Sequence, residues 1–139
     1  MLRRVLACVL FALLASPAFS SDIFILVDIS DQKMFVAVDG KPSLEFDVST
    51  GRQGYTTPTG RWGVERMYRK YHSKKYDGAP MPYSIFFHQG YAIHGTTDLK
   101  RLGRIASHGC VRLHPDNAKA LFELVKGAGA ANTTIRVMS

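Results

Sequence analysis

Short apolar stretches alternate with polar breaks along the chain, a spacing that predicts β-strands. Runs of β-branched and aromatic residues occupy residues 23–28, 33–38 and 43–49, and polar or glycine-containing breaks separate them. Runs bounded in this way predict a meander of strands. After a loop over residues 51–60, residues 62–67 again have the pattern of a strand.

A polar and basic segment then interrupts the strands. Residues 69–82 contain three breakers of regular structure, Gly78, Pro80 and Pro82. We interpret this segment as an excursion over the surface that could act as a lid. The following strand-like residues, 84–87 and 91–94, predict a hairpin that turns at Gln89 and Gly90.

One helix and one strand complete the pattern. Pro115 opens a helical pattern that ends just before Gly127. Four of its apolar positions share one face, namely Ala118, Leu121, Phe122 and Val125. Residues 133–138 predict a last strand. Mostly short strands with one main helix predict a mainly β fold, a curved mixed β-sandwich whose loops carry the functional residues.

The first twenty residues have the organisation of a secretory signal peptide. Arg3 and Arg4 precede an apolar run over residues 5–15, and small residues follow as far as Ser20. A retained membrane anchor is the alternative, but this run is much shorter than the roughly 20 apolar residues of a membrane helix. We expect cleavage near Ser20, export to the periplasm or cell envelope without stable membrane insertion, and one domain over residues 21–139.

Charge narrows the choice of partner. The formal charge of +7 falls to +5 when Arg3 and Arg4 are removed. A basic domain can bind nucleic acid or an acidic surface, and an exported protein meets mainly the second. We therefore expect the cell wall, and no nucleic acid, as partner. The alternative, that the charge only keeps the protein soluble, stays open.

Cys110 is the only cysteine left once the predicted signal, with Cys8, is removed. A lone thiol in an oxidising compartment is prone to mixed disulfides and over-oxidation, so a retained one is usually functional. A buried inert cysteine is the alternative, but the polar neighbours of Cys110 are not typical of a core strand. Because the thiolate is the nucleophile, Cys110 needs a base or a cation nearby.

Two histidines are candidates for that base. His94 ends a predicted strand and precedes Gly95, so its ring could lie at a sheet edge with one nitrogen held by a backbone carbonyl. His108 lies two positions before Cys110 and would share its face only on an extended segment. Gly109 lets the backbone bend sharply, and amides at such a bend can receive an oxyanion.

These residues form two motifs that resemble the L,D-transpeptidase (YkuD-type) catalytic domain. The first motif is Ile93-His94-Gly95-Thr96, and the second is Ser107-His108-Gly109-Cys110-Val111-Arg112. An earlier stretch resembles the loop that precedes the catalytic half in this family, Thr57-Pro58-Thr59-Gly60. The likeness therefore extends over most of the mature chain.

The resemblance implies a thioester mechanism in peptidoglycan biosynthesis. Cys110 would attack the third residue of a stem tetrapeptide and release the terminal D-alanine. His94, its tautomer fixed by a carbonyl near Gly95, would take the thiol proton and later activate an acceptor amine. That amine could belong to a stem peptide, a D-amino acid or an envelope protein. No cofactor or metal is implied, and carbapenem β-lactams are expected covalent inhibitors.

The resemblance also assigns the surrounding residues. Ser107 and His108 would shape the pocket, and the amides of Gly109 and Cys110 would hold the oxyanion. Substrate contacts are expected from Gly95, Thr96 and Arg112. Arg112 stands where the best-known pattern of the family has asparagine. Its guanidinium could clamp a substrate carboxylate or pair with a carboxylate of the protein, and both interpretations stay open.

Three other function classes are alternatives to this one. His94, His108 and Cys110 could bind zinc, but the only acid near the motifs is Asp98. A non-catalytic wall-binding module would explain charge and export but not the thiol. A hydrolase with water as acceptor, either a carboxypeptidase or an amidase, is not separated by sequence. The remaining histidines are interpreted as surface or structural residues: His72, His88 and His114.

Overall fold

The computed structural model describes residues 20–139. The predicted signal peptide, apart from Ser20, lies outside the described residues. In chain order the described strands are β1 (Ile23–Asp28), β2 (Lys33–Val38), β3 (Lys41–Asp47), β4 (Gly60–Trp62), β5 (Arg66–Tyr68), β6 (Ser84–His88), β7 (Tyr91–Gly95), β8 (Val111–Leu113) and β9 (Thr133–Met138), with helix α1 (Pro115–Ala128) between β8 and β9. The predicted mainly β fold with one main helix is confirmed.

Five strands form the first sheet, in the order β3-β2-β1-β9-β4. The central pair, β1 and β9, is parallel, and the other neighbours are antiparallel. Burial alternates along β1. Ile23, Ile25 and Val27 are buried, whereas the residues between them are partly exposed. This is the pattern of a strand with one face on the core.

The second sheet, in the order β5-β6-β7-β8, supports the chemistry. β7 pairs with β6 in an antiparallel hairpin and with β8 in a parallel register, which sets His94 opposite Arg112. β8 was not predicted. It is only three residues long, and its strand geometry depends on a parallel partner that precedes it by more than a dozen residues.

α1 covers the second sheet and packs against β7. Pro115 occupies its first turn, and the ring of His114 accepts a hydrogen bond from the Asp116 amide at 3.2 Å, so His114 caps the helix. The helix runs further than predicted, because the chain leaves it at Gly129 (φ +97°) rather than at Gly127. Its buried face joins residues of both sheets in one core.

The predicted strand over residues 62–67 is wrong in one respect: it is two strands. β4 pairs with β9 in the first sheet and β5 pairs with β6 in the second. The chain crosses between the sheets at residues 63–65. Within residues 20–139, no helix has both the length and the apolar composition needed to cross a membrane.

Candidate active site

A locked turn carries Cys110. Gly109 has φ +117°, and a Cβ at this position would overlap the ring of Tyr91, so only glycine fits. The Ser107 hydroxyl donates to the Cys110 carbonyl at 2.6 Å and accepts from the Gly109 amide at 3.0 Å. Ser107 therefore fixes the backbone of the turn through these two hydrogen bonds, and it also lines the cavity at Cys110.

The same hydrogen bonds change the expected oxyanion site. The Gly109 amide, expected to help hold the oxyanion, already donates to Ser107. Within the described residues, the Cys110 amide donates to no other protein group. The Cys110 amide is therefore free for a developing negative charge, and the His108 amide in the same turn likewise has no acceptor among the described residues.

Thr57 ties the turn to the preceding loop and was not predicted as a site residue. Its hydroxyl donates to the Gly109 carbonyl at 2.7 Å and accepts from the Gly51 amide at 2.9 Å. The side chain is 1% exposed. The only sequence signal was its place in the Thr-Pro-Thr-Gly loop, because both partners of the Thr57 hydroxyl are backbone groups.

His94 is held in a single tautomer at the end of β7. Its Nδ1 lies 2.7 Å from the Gly95 carbonyl, and since a carbonyl only accepts, Nδ1 carries the proton and Nε2 has the free lone pair. The residue is 6% exposed. Burial lowers the pKa of His94 to about 4, and the charge of Arg112 acts in the same direction, so the ring is neutral near pH 7.

Cys110 lines the same cavity as His94 and is present as a thiol. Burial raises the pKa of Cys110, although a hydrogen bond from the Ala92 backbone and the charge of Arg112 oppose this rise. The cavity therefore holds a neutral thiol and a neutral imidazole at rest. The thiol therefore needs a proton acceptor when it reacts, and His94 Nε2 can serve as one.

His108 lies on the other side of the site with its Nε2 engaged. Arg52 Nη2 is 2.9 Å from His108 Nε2, and because a guanidinium only donates, Nε2 is the accepting nitrogen. The His108 ring stacks on Tyr76 with centroids 4.2 Å apart and meets the edge of Tyr55 at 4.9 Å. Arg52 and Tyr76 were not predicted as site residues.

The cavity at Cys110 has a volume of about 550 Å³ and is lined by both motifs and by the predicted lid. His94, Thr96 and Arg112 are among its lining residues. Gly95, expected to contact substrate, does not line it. A Cβ on Gly95 would press on Pro82 and on the start of α1, so Gly95 allows close packing behind the site and supplies the carbonyl that holds His94.

Arg112 is half-buried on β8 and faces the cavity. Within residues 20–139 its guanidinium makes no ion pair. Burial lowers the pKa of Arg112, and the charge of Asp98 only partly opposes this. Asp98 itself pairs with Arg101 at 3.2 Å. No carboxylate of the described residues therefore holds Arg112 in place.

The predicted lid is a small hairpin that forms one wall of the cavity. Backbone hydrogen bonds join Met81 to Tyr71 at 2.8 Å and Ser73 to Ala79 at 2.9 Å. At its base, the guanidinium of Arg69 is paired with the carboxylate of Glu123 on α1. The hairpin is thus fastened at the helix and reaches the active-site turn through Tyr76.

The remaining candidates lie apart from this chemistry. His72, His88 and His114 do not line the cavity; His88 stacks on Trp62 with centroids 4.8 Å apart. In the part of the chain that is described, no three side chains of the histidine, cysteine and acidic types form a group suited to a metal ion. His108 Nε2, moreover, already faces a guanidinium.

Three comparisons place this chain among known proteins. "Putative L,D-transpeptidase YqjB" of Bacillus subtilis (strain 168) is 28% identical over 119 residues, covering 75% of this chain and 66% of that protein. The structure of an L,D-transpeptidase from Stackebrandtia nassauensis is 33% identical with a TM-score of 0.75, over 85% of this chain and 56% of that one. The chain thus spans less than two thirds of these relatives.

A second similar structure carries a bound group. It is L,D-transpeptidase 3 from Mycobacterium tuberculosis in complex with a faropenem-derived adduct, 21% identical with a TM-score of 0.73, over 86% of this chain and 61% of that one. At this identity the likeness concerns the fold. The family model of the YkuD L,D-transpeptidase catalytic domain matches residues 22–137. Since that match covers most of the chain, this protein belongs to the YkuD family of L,D-transpeptidase catalytic domains.

Proposed function

We propose that this protein is an exported L,D-transpeptidase that acts on peptidoglycan stem tetrapeptides through a thioester on Cys110. The observation that carries the proposal is the state of His94: its Nδ1 proton is fixed by the Gly95 carbonyl, and its Nε2 is free in the cavity that also exposes the thiol. The whole-protein activity, the envelope location and a role in wall biogenesis and cell shape are parts of this proposal.

In the first half-reaction His94 Nε2 accepts the proton of Cys110 as the sulfur attacks the carbonyl carbon of the third stem residue. The carbonyl oxygen takes the electron pair of its π bond and becomes an oxyanion, which the Cys110 amide stabilises. Collapse of this intermediate breaks the C–N bond to D-alanine. The proton on His94 passes to the leaving amine, so the enzyme is left as a thioester with neutral His94.

Arg112 is proposed to bind the donor. Its unpaired guanidinium lines the cavity beside Cys110, and the donor presents a carboxylate at its terminal D-alanine. A guanidinium and a carboxylate form charge-assisted, often bidentate hydrogen bonds. Thr96, on the same wall, would contact the donor backbone. This gives Arg112 the partner that the described part of the chain does not provide.

Covalent inhibition by β-lactams, carbapenems included, follows from the same geometry. A strained lactam carbonyl in the donor position would acylate the thiol and open the ring, with no small leaving group. The faropenem-derived adduct on the related M. tuberculosis enzyme supports this proposal for the β-lactam class.

The experiment is incubation of residues 21–139 with purified stem-tetrapeptide fragments and an amine acceptor, followed by mass analysis. We expect loss of D-alanine, an acyl adduct on the peptide containing Cys110, and a transfer product. Cys110→Ser, folded by circular dichroism, should give none of these. Release of the free tripeptide alone would replace transfer by an L,D-carboxypeptidase activity. A folded protein that forms no acyl adduct would favour the wall-binding module.

A further inference from the structure

The loop over residues 99–105, between the two motifs, concentrates exposed apolar surface. In the described part of the chain, the exposed large aliphatic side chains are Leu99, with 46% of its surface exposed, and Ile105, with 53%. The other exposed large hydrophobic side chains are aromatic and belong to other segments. Single exposed aliphatic residues are ordinary. Two within one short loop form an apolar surface that needs an explanation.

Tertiary hydrogen bonds hold this loop in place. The Gly103 amide donates to the Val48 carbonyl at 2.8 Å, and the Ser49 hydroxyl donates to the Arg104 carbonyl at 2.7 Å. The aliphatic side chain between the two exposed ones, Leu102, is partly buried. The exposed side chains therefore belong to a loop with a fixed backbone, and their exposure is a property of the fold.

Cations accompany the apolar side chains in the same loop. Lys100, Arg101 and Arg104 are all exposed. Asp98 pairs with Arg101 at 3.2 Å, but no carboxylate of the described residues pairs with Lys100 or Arg104. Three cations and one carboxylate give residues 98–105 a formal charge of +2. The loop therefore presents aliphatic and positively charged groups together.

We propose that the 99–105 loop docks the mature protein on the surface of a membrane that contains anionic phospholipids. Leu99 and Ile105 enter the boundary between headgroups and acyl chains, and Lys100 and Arg104 contact the phosphates. Apolar side chains beside cations are the combination that binds interfacial segments to anionic lipid. The inference goes beyond the proposed function, because lipid binding requires neither the thiol nor its base.

The apolar side chains favour a membrane over a soluble polyanion. An anionic wall polymer would neutralise the cations of the loop, but it would leave Leu99 and Ile105 in water. A lipid interface supplies an apolar phase and anionic groups together, so one contact satisfies both kinds of side chain. A two-fold contact between two copies of the loop would bring like charges together.

The position of the loop links the contact to the active site. Thr97 and Asp98, which directly precede the loop, line the cavity at Cys110. A protein docked through the 99–105 loop therefore has this rim of its cavity close to the lipid surface. The contact keeps the enzyme at the membrane after its predicted signal peptide is removed. With so few apolar side chains, it is reversible and is not a stable insertion.

The test measures binding of the predicted mature protein, residues 21–139, to lipid vesicles by co-sedimentation. This chain is used because the apolar run over residues 5–15 would bind lipid by itself. Vesicles of phosphatidylglycerol and phosphatidylcholine in equal amounts are compared with pure phosphatidylcholine. We expect binding to the mixed vesicles to be about 10-fold stronger or more, because each cation near an anionic surface contributes about fivefold. Added salt should weaken this binding.

Paired substitutions separate the apolar contribution from the charged one. Leu99→Ser with Ile105→Ser should weaken binding to the mixed vesicles about 10-fold, because the aliphatic side chains no longer enter the interface. Lys100→Gln with Arg104→Gln should remove most of the preference for the anionic lipid. Thermal unfolding of both variants checks that the fold is kept.

Each pair has a matched control elsewhere on the surface. Lys119→Gln with Lys126→Gln removes the same charge from exposed positions of α1. Phe35→Ser removes a hydrophobic side chain that is 38% exposed on β2. Both controls should bind the mixed vesicles as wild type does, because neither changes the 99–105 loop.

Insertion can also be observed directly. Trp62 is the only tryptophan of the chain, so the Leu99→Trp variant adds one fluorophore to a known background. With mixed vesicles its emission should shift to shorter wavelength, and acyl chains carrying bromine should quench it beyond the signal of wild type. An unchanged spectrum on vesicles that bind the protein would overturn the proposed insertion of the loop.

The remaining outcomes separate the possible occupants of the loop. Equal binding to both kinds of vesicle, or binding that survives both paired substitutions, overturns the inference. Binding to dextran sulfate that matches vesicle binding and is unaffected by Leu99→Ser with Ile105→Ser overturns it in favour of a soluble polyanion. Self-association without lipid that is lost in the same variant overturns it in favour of a second copy.

The proposed function is tested separately, by imipenem acylation in solution without lipid. Normal acylation in a protein that binds no lipid overturns the docking inference alone. Lipid binding by a folded protein that is not acylated overturns the proposed function alone. The two paired variants of the loop should be acylated at the wild-type rate, because their side chains lie outside the thiol and its proposed base.

Discussion

His94 and His108 approach the same thiol from two regions of the molecule that hold a histidine in opposite ways. His94 ends a buried strand, and a carbonyl acceptor fixes the proton on its Nδ1. His108 lies in the turn before β8, and a guanidinium donor occupies its Nε2. The first ring thus keeps its Nε2 lone pair free, and the second has its Nε2 lone pair already used.

If His94 is the base, as proposed, sequence proximity to a nucleophile does not identify its base. His108 is two residues from Cys110 and His94 is sixteen, yet the hydrogen-bond partners favour the more distant one. What matters is whether the second nitrogen of the ring faces an acceptor or a donor. An acceptor leaves the reactive nitrogen unprotonated, while a cationic donor holds it in place as part of the wall.

The largest effect is expected from removing the free lone pair. His94→Ala should slow covalent modification by imipenem about 10²–10⁴-fold, the usual range for general-base assistance, as measured by intact-protein mass against time. His108→Ala should slow it much less, because that ring takes no proton from the thiol. Thermal unfolding of both variants checks that the fold is kept.

A larger effect of His108→Ala than of His94→Ala would contradict the proposed roles of the two histidines. The roles of the two rings would be reversed if His108→Ala slowed the reaction about 10²–10⁴-fold and His94→Ala left the wild-type rate unchanged. Cys110→Ser, which has no thiol to acylate, serves as the negative control. Mapping the adduct to the peptide with Cys110 ensures that the same thiol is followed in every variant.

Sequence alone predicts the first sheet well and the second less well. β1, β2 and β9 were predicted at their observed bounds, because each has its own run of apolar and β-branched residues. β8 was missed, since Val111 to Leu113 is too short to signal a strand without β7 beside it. The break between β4 and β5 depends on which sheet each half pairs with, and this is a tertiary property.

The same distinction between local and tertiary features separates the site residues that were predicted from those that were not. The motifs supplied Cys110, His94 and the bend at Gly109, whose chemistry is local. Arg52 and Thr57 were not predicted as site residues, because the groups they bind in the active-site turn, His108 and Gly109, lie more than fifty positions away. A lone arginine or threonine in a loop has no pattern of its own, so only the folded structure shows what it contacts.

A second, smaller effect concerns stability in acid. Folding holds the pKa of His94 at about 4, against about 6.5 when exposed. Between these values the unfolded chain binds a proton that the folded chain does not, so the free energy of unfolding falls as pH falls from 6.5 to 4. The expected loss is about 3 kcal/mol by pH 4, measured by urea unfolding at several pH values.

Substitution isolates this contribution from that of the carboxylates, which also titrate in acid. His94→Gln should lose less stability than wild type between pH 7 and pH 4, because glutamine has no charge to gain. Equal losses in both proteins would mean that folding does not lower the pKa of His94 below its exposed value. The buried, always neutral ring on which the contrast with His108 depends would then be absent.

The smallest effect tests the other ring directly. Burial is the main cause that lowers the pKa of His108, and the charge of Arg52 lowers this pKa further. Arg52→Gln should therefore raise the pKa of His108 and leave the His94 signal unchanged. NMR titration of the histidine rings in a Cys110→Ala background measures both.

In the protein that keeps Cys110, Arg52→Gln should change the rate of acylation by imipenem by less than about threefold, because neither the thiol nor its proposed base is altered. Arg61→Gln, on β4 and over the Phe24 ring, is the matched control and should alter neither titration. A fall in acylation as large as that expected for His94→Ala would instead place Arg52 in the chemistry of the thiol, and the two histidines could no longer be assigned by their hydrogen-bond partners alone.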